Sequence, residues 1–249
     1  MKETRPSTAV EIYKGGLGFG PLLLTCEHAS NAMPFDWHWP HEDQWLTETH
    51  WAWDPGAAEL TRALAQELEA TAVLSLFSRL LIDPNRPLDS ATLFRTRADG
   101  RPVVLNQQVQ PDDREDRIEK LYRPYHQAVD ELLTLQAPGF LLAIHSFTPE
   151  YEGKTRSLEM GVIHVNQPSL AETWCAVFCQ AGWQAQIDAP YAGSGGYMYG
   201  PNLHAAKHGI PAIMLEFRQD LIHDRGKEIV SLLSGAMSER LLPPSDSRY

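Results

Sequence analysis

The chain has 249 residues, of which 43% are hydrophobic and 21% charged, and its formal net charge is −11. These values describe a globular protein of one large or two small domains, and the negative charge excludes the basic footprint of non-specific nucleic-acid binding. Cys26, Cys175 and Cys179 are too few for a disulfide scaffold, no apolar run approaches the ~20 residues of a membrane span, and the N-terminus carries no apolar signal-peptide segment. The expectation is a cytoplasmic enzyme or binding protein that acts on a small molecule.

In chain order, residues 1–8 are polar and Ala9–Tyr13 reads as an edge strand. Pro21–Cys26 is the first strong strand, an apolar run that stops at Glu27 and His28. The loop 29–48 carries Trp37, Trp39 and Trp45, which pin it to the body, and its length marks it as functional. Asp54-Pro55 opens a helix running to about Ala70, with Asp54 as its N-cap and Pro55 at the first helical position. Thr71–Phe77 is the next strand, so a β-α-β unit with parallel strands begins here. The segment 88–110, with Arg95, Arg97 and Arg101, is irregular and reads as a flap. Asp112–Leu135 is a long amphipathic helix that Pro124 breaks or kinks. Strands follow at Phe140–His145, Ser157–Val165, Trp183–Asp188 and Pro211–Phe217. Helices follow at Ser169–Ala181, which carries Cys175 and Cys179 one turn apart, at Asn202–His208, ended by Gly209, and at Asp224–Arg240. The segment 191–200 is a glycine-rich loop and 243–249 a polar tail. With no internal repeat and no low-complexity linker, residues 1–249 read as one α/β domain.

Three of these strands end on chemistry-bearing residues: the first at His28, another at His145, and the last at Glu216. In open α/β sheets, ligands bind just past the carboxyl ends of the strands. Neutral imidazole and carboxylate are the ligands of a hydrolytic zinc, whose bound water loses its proton to a separate carboxylate; Glu216 is the candidate base. His28 and His145 supply two ligands, and Asp54 or Glu27 the third. The run Asp83-Pro84-Asn85-Arg86 adds a planar guanidinium suited to gripping a carboxylate at two points, with Asn85 beside it. Asp83 either orients Arg86 or holds the turn, and Arg79 faces a developing oxyanion. Two other readings fit the same residues. Cys26 and His28, two apart on a strand, would form a thiol nucleophile and its base. Alternatively, Arg86 serves a binding module without turnover.

Taken in order, the stretches CEHASNAMP, WDPGAAEL, SRLLIDPNR, IHSFTP and MLEFRQDL make the chain resemble the N-formylglutamate amidohydrolase family over about Leu22–Leu221. That family consists of metal-dependent hydrolases related in fold to zinc carboxypeptidases and aspartoacylases. The resemblance implies a three-layer α/β/α sandwich around a mixed, mostly parallel sheet, of the phosphorylase/hydrolase-like and zinc-peptidase-related kind. It implies Zn2+ or another divalent metal on His28 and His145, Glu216 as base and Arg79 at the oxyanion. Asn85 and Arg86, with Asp83 and Ser146, would hold an N-acyl amino acid by its carboxylate. Zinc carboxypeptidases take a ligand three residues after the first histidine, where this chain has Asn31; the acidic ligand is therefore sought elsewhere, with Asp54 preferred to Glu27.

Overall fold

Side chains alternate between the two faces of a strand, and here both faces are apolar. In Leu22–Cys26, Leu22, Leu24 and Cys26 enter one hydrophobic cluster, while Leu23 enters another on the opposite side. A strand buried on both faces belongs inside a sheet that helices cover on both sides.

The computed structural model describes residues 8–16, 20–151 and 153–238; apart from Thr8, the polar tails expected at 1–8 and 243–249 lie outside them. Strands β1 (Val10–Lys14) and β2 (Leu22–Cys26) lead through a 3₁₀ turn, His41–Leu46, to helix α1 (Ala57–Glu67) and strand β3 (Thr71–Ser75). A small hairpin, β4 (Arg97–Ala98) and β5 (Arg101–Pro102), precedes α2 (Pro111–Arg117) and α3 (Arg123–Gln136). Then come β6 (Phe140–Phe147), a second hairpin of β7 (Glu150–Tyr151) and β8 (Lys154–Thr155), and β9 (Met160–Ile163). The chain continues through α4 (Pro168–Gln180), β10 (Ala185–Ile187), α5 (Tyr199–His208), β11 (Ala212–Arg218) and α6 (Gln219–Ser238).

The main sheet has seven strands in the order β1-β3-β2-β6-β11-β9-β10. Strands β3, β2, β6 and β11 run parallel, as β9 and β10 do with each other; β1 against β3 and β9 against β11 are antiparallel. Helices α1, α4 and α6 pack on one face and α3 and α5 on the other, giving the expected mixed three-layer α/β/α sandwich. All eight residues of β6, at the centre, are buried.

Several element boundaries differ from expectation for physical reasons. Helix α1 starts at Ala57 with Gly56 as N-cap, not Asp54, because the Asp54 side chain is engaged elsewhere. Gly56 has φ 83°, and an added Cβ would stand 3.0 Å from Ile222 Cγ2, so the turn needs a glycine. At Pro124 the helix does not break. A π-helical turn, Ile118–Tyr122, widens it, and Arg123 N–H donates to Ile118 O five residues back. That wider turn accommodates a proline that has no N–H and crowds the preceding carbonyl. Helix α6 starts at Gln219, and Arg225 interrupts it with φ −122°, next to the expected start at Asp224. The tryptophan loop is pinned as expected. Trp37 Nε1 donates to Asp113 Oδ1 at 2.9 Å and Trp39 Nε1 to Asn31 O at 3.1 Å. Asp43, fully buried, accepts from the backbone N–H groups of Val104 and Leu105, tying this loop to the flap.

Candidate active site

The ends of β2, β6 and β11 lie side by side. Glu216 of β11 is directly opposite His145 of β6 in the parallel register, so both side chains leave the sheet on the same face. His28 stands two residues past β2, and its ring meets that of His145 edge-on at 4.8 Å between centroids. Asp54 is brought in by the turn before α1, where its N–H donates to His28 O at 2.9 Å. All four residues are buried.

The hydrogen-bond pattern around the imidazoles is specific. Asp54 Oδ2 is 2.8 Å from His145 Nδ1 and 3.4 Å from His28 Nδ1. On the far side of each ring, His28 Nε2 is 2.8 Å from Asp83 Oδ1 and His145 Nε2 is 2.7 Å from Glu27 Oε2. Glu27 is itself fixed by Tyr125 OH from α3 at 2.8 Å. Every imidazole nitrogen therefore faces a carboxylate, whereas a neutral imidazole has one N–H. The contradiction is resolved if the Nε2–H groups go to Asp83 and Glu27 and a cation takes both Nδ1 lone pairs together with Asp54. Ligand atoms of His28, Asp54 and His145 lie within 4.8 Å of one another. This donor set fits a divalent metal, and a carboxylate behind each histidine is the usual way such ligands are oriented. Asp54, not Glu27, lies between the two histidines.

The charges follow from the same contacts. Burial works to raise the Asp54 pKa, but the charge of His28 and the hydrogen bonds from His145 and His28 outweigh it and hold the carboxyl well below its usual range. Burial opposes protonation of His145, yet its hydrogen bonds to Asp54 and Glu27 lift it to about 10. Glu216 behaves differently. Burial, with Asp54 adding to it, pushes its pKa up to about 7 against the opposing charges of His145 and Arg79. Its buried Oε2 has no hydrogen-bond partner among the described residues. Gly161 of β9 is opposite Glu216, and an added Cβ there would collide with Ala189 O, so this position admits no side chain.

His28, Asp54, His145 and Glu216 line a cavity of about 200 Å³, together with Arg79, Asn85, Arg86 and Ser146. Arg79 donates to Asp83 Oδ2 at 2.9 Å and lies 3.6 Å from Asp54 Oδ1. Asn85 bridges to the glycine-rich loop, donating to Tyr197 O at 2.6 Å and accepting from Gly200 N at 2.9 Å. The Arg86 guanidinium donates to Asn85 O and Gly196 O and lies 5.1 Å over the Tyr197 ring, with no carboxylate partner among the described residues. Ser146 Oγ donates to Pro55 O at 2.8 Å. Asp83, expected among the substrate contacts, lies behind the cavity wall. Its oxygens accept from His28, Arg79 and the Asn85 N–H, so it braces the turn and the histidine and makes no hydrogen bond to Arg86.

The thiol reading fails on placement. Strand β2 ends at Cys26, which turns into the α1-side core with no exposure, while His28 turns to the cavity. Burial and the charges of Asp54 and Glu27 raise the Cys26 pKa well above its usual value, the reverse of an activated thiol. Sequence reading did not single out Tyr125, or the role of Glu27 behind His145. The adjacency of Glu27 to His28 was the only signal.

The family model described as N-formylglutamate amidohydrolase matches residues 20–223. The N-formylglutamate deformylase of Pseudomonas aeruginosa is 25% identical over 201 residues, covering 72% of this chain and 69% of the relative. The crystal structure of a gene product from Agrobacterium tumefaciens is similar with TM-score 0.87 and 32% identity, over 94% of this chain and 95% of that one. The N-formylglutamate amidohydrolase from Ralstonia eutropha, 16% identical, shares the fold with TM-score 0.66 over 94% and 98% of the two chains. The match from residue 20 to residue 223 takes in all three strand tips and every residue named in the cavity, and by it this chain belongs to the N-formylglutamate amidohydrolase family, as a hydrolase of that type.

Proposed function

We propose that the chain, residues 1–249 acting as one domain, is a metal-dependent amidohydrolase that removes the acyl group from an N-acyl amino acid. N-formyl-L-glutamate is the first substrate to test, on the strength of the Pseudomonas relative's name. The observation that carries the reading is the convergence of His28 Nδ1, His145 Nδ1 and Asp54 beside a buried carboxylate, Glu216, with an unpartnered oxygen. His28, Asp54 and His145 would hold a zinc or similar divalent ion. When bound, such an ion polarises the scissile carbonyl and makes water acidic enough to ionise near neutral pH.

The protein's own groups do the rest. Glu216 accepts the proton of the attacking water at its free oxygen and returns it to the leaving amine nitrogen; its raised pKa suits both halves of that transfer. Arg79, held by Asp83 and facing the cavity, stabilises negative charge developing on the carbonyl oxygen. Arg86, with Asn85 beside it, grips the α-carboxylate of the substrate, and Ser146 lies beside the reacting group. Glu27 and Asp83 hold the imidazoles in the tautomer that leaves Nδ1 free.

The test is hydrolysis of N-formyl-L-glutamate by the purified, zinc-supplemented protein and by Glu216→Gln. The variant should keep its metal content while kcat falls roughly 10²–10⁴-fold with little change in KM. An unchanged rate removes Glu216 from the mechanism.

A further inference from the structure

In a chain of net charge −11 most buried or half-buried arginines find a carboxylate. Arg62 pairs with Glu11, Arg117 with Asp113, Arg218 with Asp220 and Arg225 with Glu228. In the cavity, Arg79 pairs with Asp83. Arg86 and Arg95 line the same cavity and have no carboxylate partner among the described residues. Arg86 stands on the wall formed by Tyr197 and the glycine-rich loop; Arg95 stands on another, 5.2 Å over the ring of Trp51. The charges of Arg79 and Arg86 both act on Arg95 and, after burial, are what lower its pKa. Three guanidiniums gather around one cavity, and two of them have no carboxylate within ion-pair distance among the described residues, so an anionic group that enters it meets unpaired positive charge.

Arg95 is also held in place from behind. Its carbonyl accepts from the buried Asn106 side chain at 2.9 Å, and the same amide nitrogen donates to Leu80 O at 2.7 Å. Asn106 Oδ1 in turn accepts from the buried Arg117 at 2.7 Å, and Arg117 also reaches Leu81 O. The base of the flap is thus tied to the segment that positions Arg79 and Asp83. A cation on such a base is preorganised, which is what recognition of a fixed charge requires.

We infer that Arg95 is a specificity-determining residue that binds a second, non-reacting anionic group of the substrate, on a different wall of the cavity from the Arg86 site. The inference rests on the amidohydrolase reading and deepens it. The α-carboxylate goes to Arg86, the acyl carbonyl to the histidine cluster, and the side-chain carboxylate of an acidic amino acid to Arg95. Trp51 supports the guanidinium from below and excludes water from the contact.

The experiment compares N-formyl-L-glutamate with N-formyl-L-glutamine, which has the same shape without the second charge, in the zinc-supplemented wild type and in Arg95→Met. Wild type should prefer the diacid. The variant should lose roughly 10- to 100-fold in kcat/KM on the diacid, through KM, the range of a charge-assisted hydrogen bond. Its loss on the glutamine compound, which offers no second charge, should be several-fold smaller. An equal loss on both substrates makes Arg95 a mere pin for the flap and overturns the inference, as does a wild type with no preference. If neither compound is hydrolysed, the N-formyl form of the amidohydrolase reading has failed, and calorimetric binding of L-glutamate against L-glutamine then decides. A preference for glutamate that disappears in Arg95→Met upholds the assignment, and equal or absent binding of the two overturns it.

Discussion

Asp54 had two possible uses: capping the helix that follows it, or standing between two histidines. The tertiary contacts chose the second, and Gly56 took over the cap with a backbone conformation that costs a glycine nothing. The same competition bears on Arg86, whose guanidinium already serves two backbone carbonyls and a tyrosine ring. Binding of a substrate carboxylate, the role proposed for Arg86, is separable from that bracing role. Arg86→Ala should weaken kcat/KM for N-formyl-L-glutamate by roughly 2–4 kcal/mol, the range for truncating one partner of a buried charged pair. KM should carry more of the loss than kcat, and Arg86→Lys, lacking the planar fork, should restore only part of it. With a substrate whose α-carboxylate is replaced by an amide, wild type and variant should differ little. An equal loss on both substrates assigns Arg86 to the loop alone.

At the scale of elements, the packing of α3 against α5 carries a pair of histidines that the site does not use. His126 Nδ1 lies 2.9 Å from His204 Nε2, and the other nitrogen of each ring has no hydrogen-bond partner among the described residues. Burial, and after it the neighbouring His204, lower His126 to about 4; burial lowers His204 to about 4 as well, against the charge of Asp130. Because both folded-state values are depressed, the unfolded chain binds more protons between about pH 4 and 6.5. The stabilising effect of keeping the pair neutral is complete above that window and is lost as pH falls through it. Each tenfold difference in proton affinity between the folded and unfolded chain is worth about 1.4 kcal/mol. Urea unfolding with chelator present should show a lower midpoint at pH 5 than at pH 7.5. In His126→Leu/His204→Leu that drop should shrink, since the apolar pair has nothing to protonate. An identical drop in both proteins would mean that these histidines do not control the acid response. His145, whose value is raised, acts with the opposite sign and is common to both proteins.

For the molecule as a whole, the proposed metal centre draws on three separate regions of the chain: His28 after β2, Asp54 before α1, and His145 in β6. A ligand that binds only when these are assembled stabilises the whole fold by mass action. At a free zinc concentration about a hundred times its dissociation constant the gain is about 2.7 kcal/mol, which for a chain of this size is a rise in Tm of roughly 5–10 °C. Thermal melts with zinc and with chelator should differ by that amount in wild type and coincide in His28→Ala/His145→Ala. A shift that survives the double substitution would place the ion elsewhere. Among the described residues, no helix is long and apolar enough to cross a membrane.

Local pattern alone determined a great deal here. Apolar runs bounded by turn residues located every strand of the main sheet, and their burial on both faces follows from sequence that is apolar at consecutive positions. The order of strands and helices was enough for one α/β domain with parallel strands, the family resemblance added the three-layer sandwich, and the abrupt end of each run marked His28, His145 and Glu216. What periodicity reports is the face a side chain occupies, and this is why it could not name partners. His28 meets Asp83 across 55 positions, Asp54 meets His145 across 91, and Glu27 meets His145 across 118. Those pairings depend on strand register and on how the turns before α1 and after β3 fold back over the sheet. Only the folded chain could show that Asp54 stands between the histidines while Glu27 and Asp83 stand behind them, and that Cys26 turns into the core while His28 turns to the cavity.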